Sequence, residues 1–211
     1  MKQSFKYKLS DLGLLPKVDA IRRIPEIIDW IIKGCTKQAP APVKRMILSA
    51  YCQKYGLKEF VETGTFMGDT LAHMAQNKAL KCTSIEIADS LFHKAKERFN
   101  SYLNITLLHG DSGQLLPQYV KQLQQPALFW LDGHYSGGVT GKGNDDTPIS
   151  TELAAIIDSP IKQHVILIDD ARCFVGENSY PHIDELLKIA REQSNYEIEI
   201  SADIIRLTPK K

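Results

Sequence analysis

KEFVETGTFMGDT, residues 58–70, reads as a short apolar strand, a tight turn and the start of a helix. Phe60 and Val61 lie in the strand, which ends at Glu62, and a helix is expected from Met67 to Asn77. Gly64 and Gly68 stand where strand hands over to helix, a place where missing side chains let the backbone come close to a ligand. The spacing Glu-x-Gly-x-x-x-Gly departs from the Gly-x-Gly-x-x-Gly of dinucleotide sites, and the Gly-Lys-Ser/Thr of a phosphate loop is lacking. A carboxylate opening the turn repels a pyrophosphate and suits a cationic ligand.

Outward from this turn the chain alternates between the two periodicities. Helix 43–55 precedes it, ending at Gly56. Strands are expected at 82–87, 105–108, 127–131 and 164–168, with helices after Asp89, from Ser112, from Thr147-Pro148 and over 182–191. Ala127–Leu131 is wholly apolar, and so is His164–Ile168 past its first residue, as strands covered on both faces should be. Tyr196, Ile198 and Ile200 alternate with Glu197 and Glu199, and Ile204–Leu207 follows, which predicts an antiparallel hairpin. Five strand–helix units force a parallel sheet with right-handed crossovers, so the fold class is α/β, Rossmann-like and doubly wound.

Two parts of the chain differ in charge. Residues 1–45 carry ten basic and four acidic side chains, a net of +6, and the remainder carries −5. Ile24, Ile27, Ile28, Ile31 and Ile32 recur at helical spacing, and Ala39-Pro40-Ala41-Pro42 reads as an extended connector. Residues 1–42 are therefore expected to form an N-terminal helical appendage and residues 43–211 the main domain. Its helix is expected to pack on that domain, with an oligomer contact or a membrane surface as the other readings.

Sheets of this kind bind ligands at the carboxyl ends of their strands. Those ends are Glu62-Thr63-Gly64-Thr65, Glu86, Asp111-Ser112, Asp132-Gly133-His134 and Asp169-Asp170. A carboxylate near each of five strand ends exceeds what helix capping alone requires. Glu86 can accept both hydroxyls of a ribose, and Asp111-Ser112 can meet an adenine edge. A ligand with an adenosine and a positive, amino-acid-like end satisfies Glu62, Glu86 and Asp111 together; S-adenosylmethionine is such a ligand.

In order, VETGTFMGDT, SIEIA, LLHGDSGQLLP, ALFWLDGH and HVILIDD resemble the motifs of class I S-adenosylmethionine-dependent methyltransferases. The resemblance spans residues 57–207. It implies a seven-stranded, mostly parallel sheet closed by the C-terminal hairpin. It also implies that Glu62, Thr63, Gly64, Thr65 and Gly68 line the methionine end, with Glu86 at the ribose, Asp111 and Ser112 at the adenine, and Asp132 beside the cofactor. LDGH and IDD resemble the metal-dependent O-methyltransferases of the macrocin and novobiocin-sugar type. That likeness implies Mg²⁺ held by Asp132, Asp169 and Asp170, with His134, in a position where those enzymes commonly carry Asp, as the base. The glycine-rich loop from Gly133 to Asp146 is expected to close over substrate, with Lys142, Asp145 and Asp146 as possible polar contacts.

Composition narrows the classes. Lys+Arg is 26 and Asp+Glu 25, a net charge of +1, which argues against a general nucleic-acid binder. No apolar run reaches the ~18–20 residues that span a bilayer, and MKQSFKYKLS lacks the apolar core of a leader peptide. The expectation is a cytoplasmic protein whose Cys35, Cys52, Cys82 and Cys173 stay free thiols. The leading function is Mg²⁺-assisted O-methylation of a small hydroxylated acceptor, sugar-like or phenol-like, with a homo-oligomer possible through the N-terminal helix. The alternatives are a metal-independent methyltransferase for a nitrogen or macromolecular acceptor, and a nucleotide-binding protein without transferase activity.

Overall fold

The computed structural model describes residues 21–133, 147–177, 180–192 and 195–210. Two helices, α1 (Ile24–Ile32) and α2 (Ala41–Tyr55), lead into β1 (Glu59–Thr63). Next come α3 (Asp69–Met74), β2 (Lys81–Glu86), α4 (Asp89–Arg98), β3 (Ile105–His109) and α5 (Ser112–Val120). The second half holds β4 (Ala127–Leu131), α6 (Ile149–Ile157), β5 (Val165–Ile168), α7 (Ile183–Glu192) and the hairpin β6 (Tyr196–Ser201) and β7 (Ile204–Pro209). The sheet order is β3-β2-β1-β4-β5-β7-β6. The first five are parallel, and β7 runs against both β5 and β6, so six strands share one direction. The doubly wound, mostly parallel, seven-stranded architecture is as expected.

Strand alternation divides the core in two. Val61, Ile85, Phe129, Leu131, Ile166 and Ile168 face α5, α6 and α7. Phe60, Cys82, Leu128, Trp130, Val165 and Leu167 face α2 and α3. Every residue of β1, β4 and β5 is buried, which explains the unbroken apolar runs of β4 and β5; β1 buries Glu59, Glu62 and Thr63 as well. The order reverses at β1, where β2 lies on one side and β4 on the other; crossovers depart to opposite faces there and open a crevice.

His164, just before β5, is fully buried: its Nδ1 accepts from the Ala127 N–H (3.1 Å) and its Nε2 pairs with Ser159 Oγ (3.1 Å). Burial, with help from Lys162, pushes its pKa down to about 4. In the unfolded chain the imidazole protonates near pH 6.5, so its contribution is complete above that value and is lost as pH falls toward 4. By pH 5 the loss amounts to about 2 kcal/mol. Chemical denaturation of wild type and His164→Gln at pH 7 and pH 5 reads this directly: the acid loss should be smaller by that amount in the variant.

Two features of the N-terminal part differ from expectation. The 39–42 segment is no spacer: Ala41 and Pro42 form the first turn of α2, where a proline's missing N–H costs nothing. Ala39 and Pro40 are buried, and the Ala39 N–H donates to Ala202 O (3.3 Å) in the hairpin turn. Helix α1 buries none of its residues, and Ile24, Ile28, Ile31 and Ile32 are exposed, so it does not pack on the sheet as expected. Among the described residues its hydrogen bonds are local, including Trp30 Nε1 to Lys37 O (2.8 Å) and Lys33 to Asp29 (2.6 Å). No described helix is long and apolar enough to cross a membrane. All four cysteines are free thiols.

Candidate active site

Register aligns the strand ends that matter. Thr63 pairs with Ile85 and with Leu131, and Leu131 pairs with Ile168, so Gly64, Asp132 and Asp169 each leave the sheet at one level. The Asp132 N–H donates to Thr63 O (3.3 Å) and the Asp169 N–H to Leu131 O (3.1 Å), which extends the ladder past the strands. Glu62 pairs with Ser84 and Trp130, and Glu86 follows Ser84 by two, so both glutamates face the α2–α3 side.

Glu62 is 2% exposed. Ser84 Oγ donates to its Oε2 (2.8 Å), and Ser84 Oγ also shares a hydrogen bond with Thr65 Oγ1 (2.6 Å). Burial, reinforced by the charge of Glu86 and opposed by the Ser84 hydroxyl, pushes the Glu62 pKa up to about 8. Glu86 is also buried; its Oε2 accepts from the Phe66 N–H (2.8 Å) and its Oε1 from the Ala88 N–H (2.8 Å). One carboxylate thereby ties the loop after β1 to the loop after β2. Each oxygen keeps a further lone pair for a ligand.

The glycines serve packing inside the protein. At Gly64, φ +82°, an added Cβ would lie 2.5 Å from Asp132 O and 3.1 Å from Gly133 Cα. At Gly68, φ +73°, it would enter the Phe99 ring at 2.7 Å. Both positions need glycine, but neighbouring protein atoms, rather than a bare approach path, fill the space a side chain would take. Asp111 caps α5, its carboxylate accepting from the Gly113 N–H (2.8 Å). Ser112 is buried beside Gly133.

Sequence reasoning missed Glu152. It projects from α6, is 1% exposed, and lies against Ser112 and Thr63; burial pushes its pKa up to about 7. A single acid on an otherwise apolar helix face was the available signal. Leu131, Gly133, Glu152, Asp169, Phe174 and Tyr180 help line a cavity of about 10 Å³ beside it.

The three aspartates expected to bind Mg²⁺ stand at the ends of β4 and β5. Among the described residues, no group of three His, Cys, Asp or Glu side chains is placed to hold a metal ion. The reason lies in the partners. Asp169 Oδ1 accepts from the Asp170 N–H (2.8 Å), and its Oδ2 takes the ammonium of Lys44. Asp170, with φ +56°, directs Oδ1 to Gln38 Nε2 (3.0 Å) and to the Arg172 guanidinium (2.9 Å). Asp132 is held well above the usual carboxylate range, by burial first and then by the Asp169 charge, with Lys44 opposing. Mg²⁺ asks for near-octahedral oxygen ligands, and both oxygens of Asp169 and Oδ1 of Asp170 already take nitrogen donors. His134 and the loop residues Lys142, Asp145 and Asp146 lie outside the described residues.

No family model matches the sequence, and no curated protein matches it. Similar solved structures exist. A Podospora anserina methyltransferase with S-adenosylhomocysteine bound is 14% identical, with a TM-score of 0.59 over 82% of this chain and 80% of that one. The tomaymycin-synthesis O-methyltransferase TomG of Streptomyces achromogenes, in complex with S-adenosylmethionine, is 14% identical, with a TM-score of 0.57 over 81% of each chain. A Bacillus cereus O-methyltransferase with S-adenosylhomocysteine is 12% identical, with a TM-score of 0.59 over 88% of this chain and 90% of that one. With order β3-β2-β1-β4-β5-β7-β6 and these neighbours, the chain has the class I methyltransferase fold.

Proposed function

We propose that the chain is an S-adenosylmethionine-dependent methyltransferase acting on an oxygen of a small hydroxylated acceptor. One observation carries the reading. Two buried glutamates, Glu62 and Glu86, end adjacent parallel strands on the same face beside the point where the strand order reverses. The donor set fits the cofactor's chemistry: Glu86 has spare acceptor capacity for two hydroxyls, and Glu62 offers a desolvated carboxyl to a cationic end. The S-adenosylmethionine and S-adenosylhomocysteine complexes of proteins with this fold support the same reading.

Once bound, S-adenosylmethionine supplies an electrophilic methyl group. In the proposed reaction Glu62 and the turn Thr63-Gly64-Thr65 hold the methionine end, and Gly68 lets the next helix start beside them. Glu86 accepts from the ribose, and Asp111 and Ser112 stand at the adenine side. Asp132 borders the acceptor. Its carboxylate, made more basic by burial and by Asp169, takes the proton that the acceptor hydroxyl gives up. His134, two residues on in the sequence, is the second candidate for that base role. Much of the acceleration then comes from holding two reactants in line. No step passes through a metal ion.

The reading is tested by titration calorimetry with S-adenosylhomocysteine, followed by methyl transfer to panels of sugars and phenols. Saturable one-site binding is expected, and its absence overturns the proposal. A sharper sign comes from Glu62. With its pKa near 8 the free carboxyl is mostly protonated at pH 7, and a cationic ligand favours the ionised form. Binding of S-adenosylmethionine at pH 7 should therefore release close to one proton, seen as a binding heat that varies with the ionisation enthalpy of the buffer. Glu62→Gln should remove the variation.

A further inference from the structure

We propose that Lys44 is the built-in cation of this site, its ammonium seated where the three aspartates would otherwise take a divalent metal. Lys44 leaves the first turn of α2 with a side chain only 12% exposed, and it reaches Asp169, whose side chain is 4% exposed. The same ammonium lies 3.8 Å from Asp170. Helix propensity does not explain it. The first turn of α2 has no acidic residue and carries Lys44 and Arg45, the charge sign that the amino end of a helix dipole disfavours. The compensation is tertiary and comes from a carboxylate 125 residues away.

The charges of Asp169, Asp170 and Arg172 each have a counterpart. Lys44 and the Asp170 N–H occupy the two oxygens of Asp169. Gln38 and Arg172 hold Asp170, and Arg172 is itself clamped by Asp203. A divalent ion entering here would displace a buried lysine and then stand beside it. A buried ammonium is instead a permanent positive point next to Asp132, on the acceptor side of the crevice. Lys44 is therefore a positioning residue: it fixes Asp169 and favours an acceptor oxygen that develops negative charge. Only this last consequence rests on the methyltransferase reading.

Mn²⁺, a spectroscopic substitute for Mg²⁺, tests the assignment on the full chain without an acceptor. Wild type should bind no Mn²⁺ below the millimolar range by paramagnetic resonance. Lys44→Ala, which leaves Asp132 and Asp169 facing each other without the ammonium, should bind it at least tenfold more tightly. Lys44→Arg should behave as wild type. Lys44→Gln, neutral but still able to donate to Asp169, should show the same gain as Lys44→Ala and serves if that variant does not fold. Tight binding by wild type that Asp169→Asn abolishes overturns the proposal, as does a folded Lys44→Ala or Lys44→Gln that gains nothing. Calorimetry with S-adenosylhomocysteine on the same preparations keeps the two questions apart: its failure removes the methyltransferase reading and leaves the Mn²⁺ result to decide the cation.

Discussion

Gly64→Val is expected to lower stability by about 4 kcal/mol, seen as a fall of about 8–16 °C in Tm. Two costs add. An L residue at φ +82° loses about 1–2 kcal/mol to left-handed strain. A Cβ placed 2.5 Å from Asp132 O forces apart the ends of β1 and β4, and overpacking of that kind costs about 1–3 kcal/mol. Gly56 provides the comparison. It ends α2 at φ +62° with nothing within 4 Å of an added Cβ, so Gly56→Ala should show the strain alone, about 1 kcal/mol. Equal melting of the two variants would show that the Gly64–Asp132 contact carries no weight.

Glu86→Ala is expected to weaken binding of S-adenosylhomocysteine by about 3–4 kcal/mol, a few hundredfold in Kd. The proposed ribose contacts are hydrogen bonds to a charged acceptor, each about 1.5–3 kcal/mol. The loss should exceed that of one such contact because the Phe66 and Ala88 N–H groups lose their acceptor as well, and both loops then hold their shape less well. The overall fold should persist, since Glu86 is the last residue of β2 and the register from Lys81 to Ile85 does not depend on its side chain. Calorimetry decides: a folded variant binding within threefold of wild type removes Glu86 from the site.

Legibility in the sequence followed the range of the interactions. β4 and β5 were readable because burial on both faces leaves only apolar residues, and the terminal hairpin because one wet face leaves every second residue polar. The positions of Glu62 and Glu86 near the ends of β1 and β2 were readable because the strands before them carry apolar residues that stop there. Gly64 and Gly68 were found for a reason the structure changes, since the atoms that require them, at Asp132 and Phe99, are distant in sequence. Lys44 was not readable: one lysine in a helical run carries no sign of a partner 125 residues later. The same holds for Gln38, whose contact with Asp170 spans 132 residues. Without those two donors, three aspartates with metal-like placement suggested a metal. Packing of α1 on the domain was expected from its apolar spacing, which records amphipathicity but not what covers the apolar side.

Glu62, Glu86, Asp111 and Ser112 fall within one continuous stretch of 51 residues, whereas the opposite wall is assembled from Gln38, Lys44, Asp132, Asp169, Asp170, Arg172 and Asp203. Mutational drift therefore acts on the two halves separately. An exchange of the leading segment up to residue 45, or of the hairpin turn, rewrites one wall and leaves the 62–112 block intact. Descendants of such a chain could diversify what they modify while inheriting an unchanged block for the proposed methyl donor, and a chimaera carrying another leader is the laboratory version of that step.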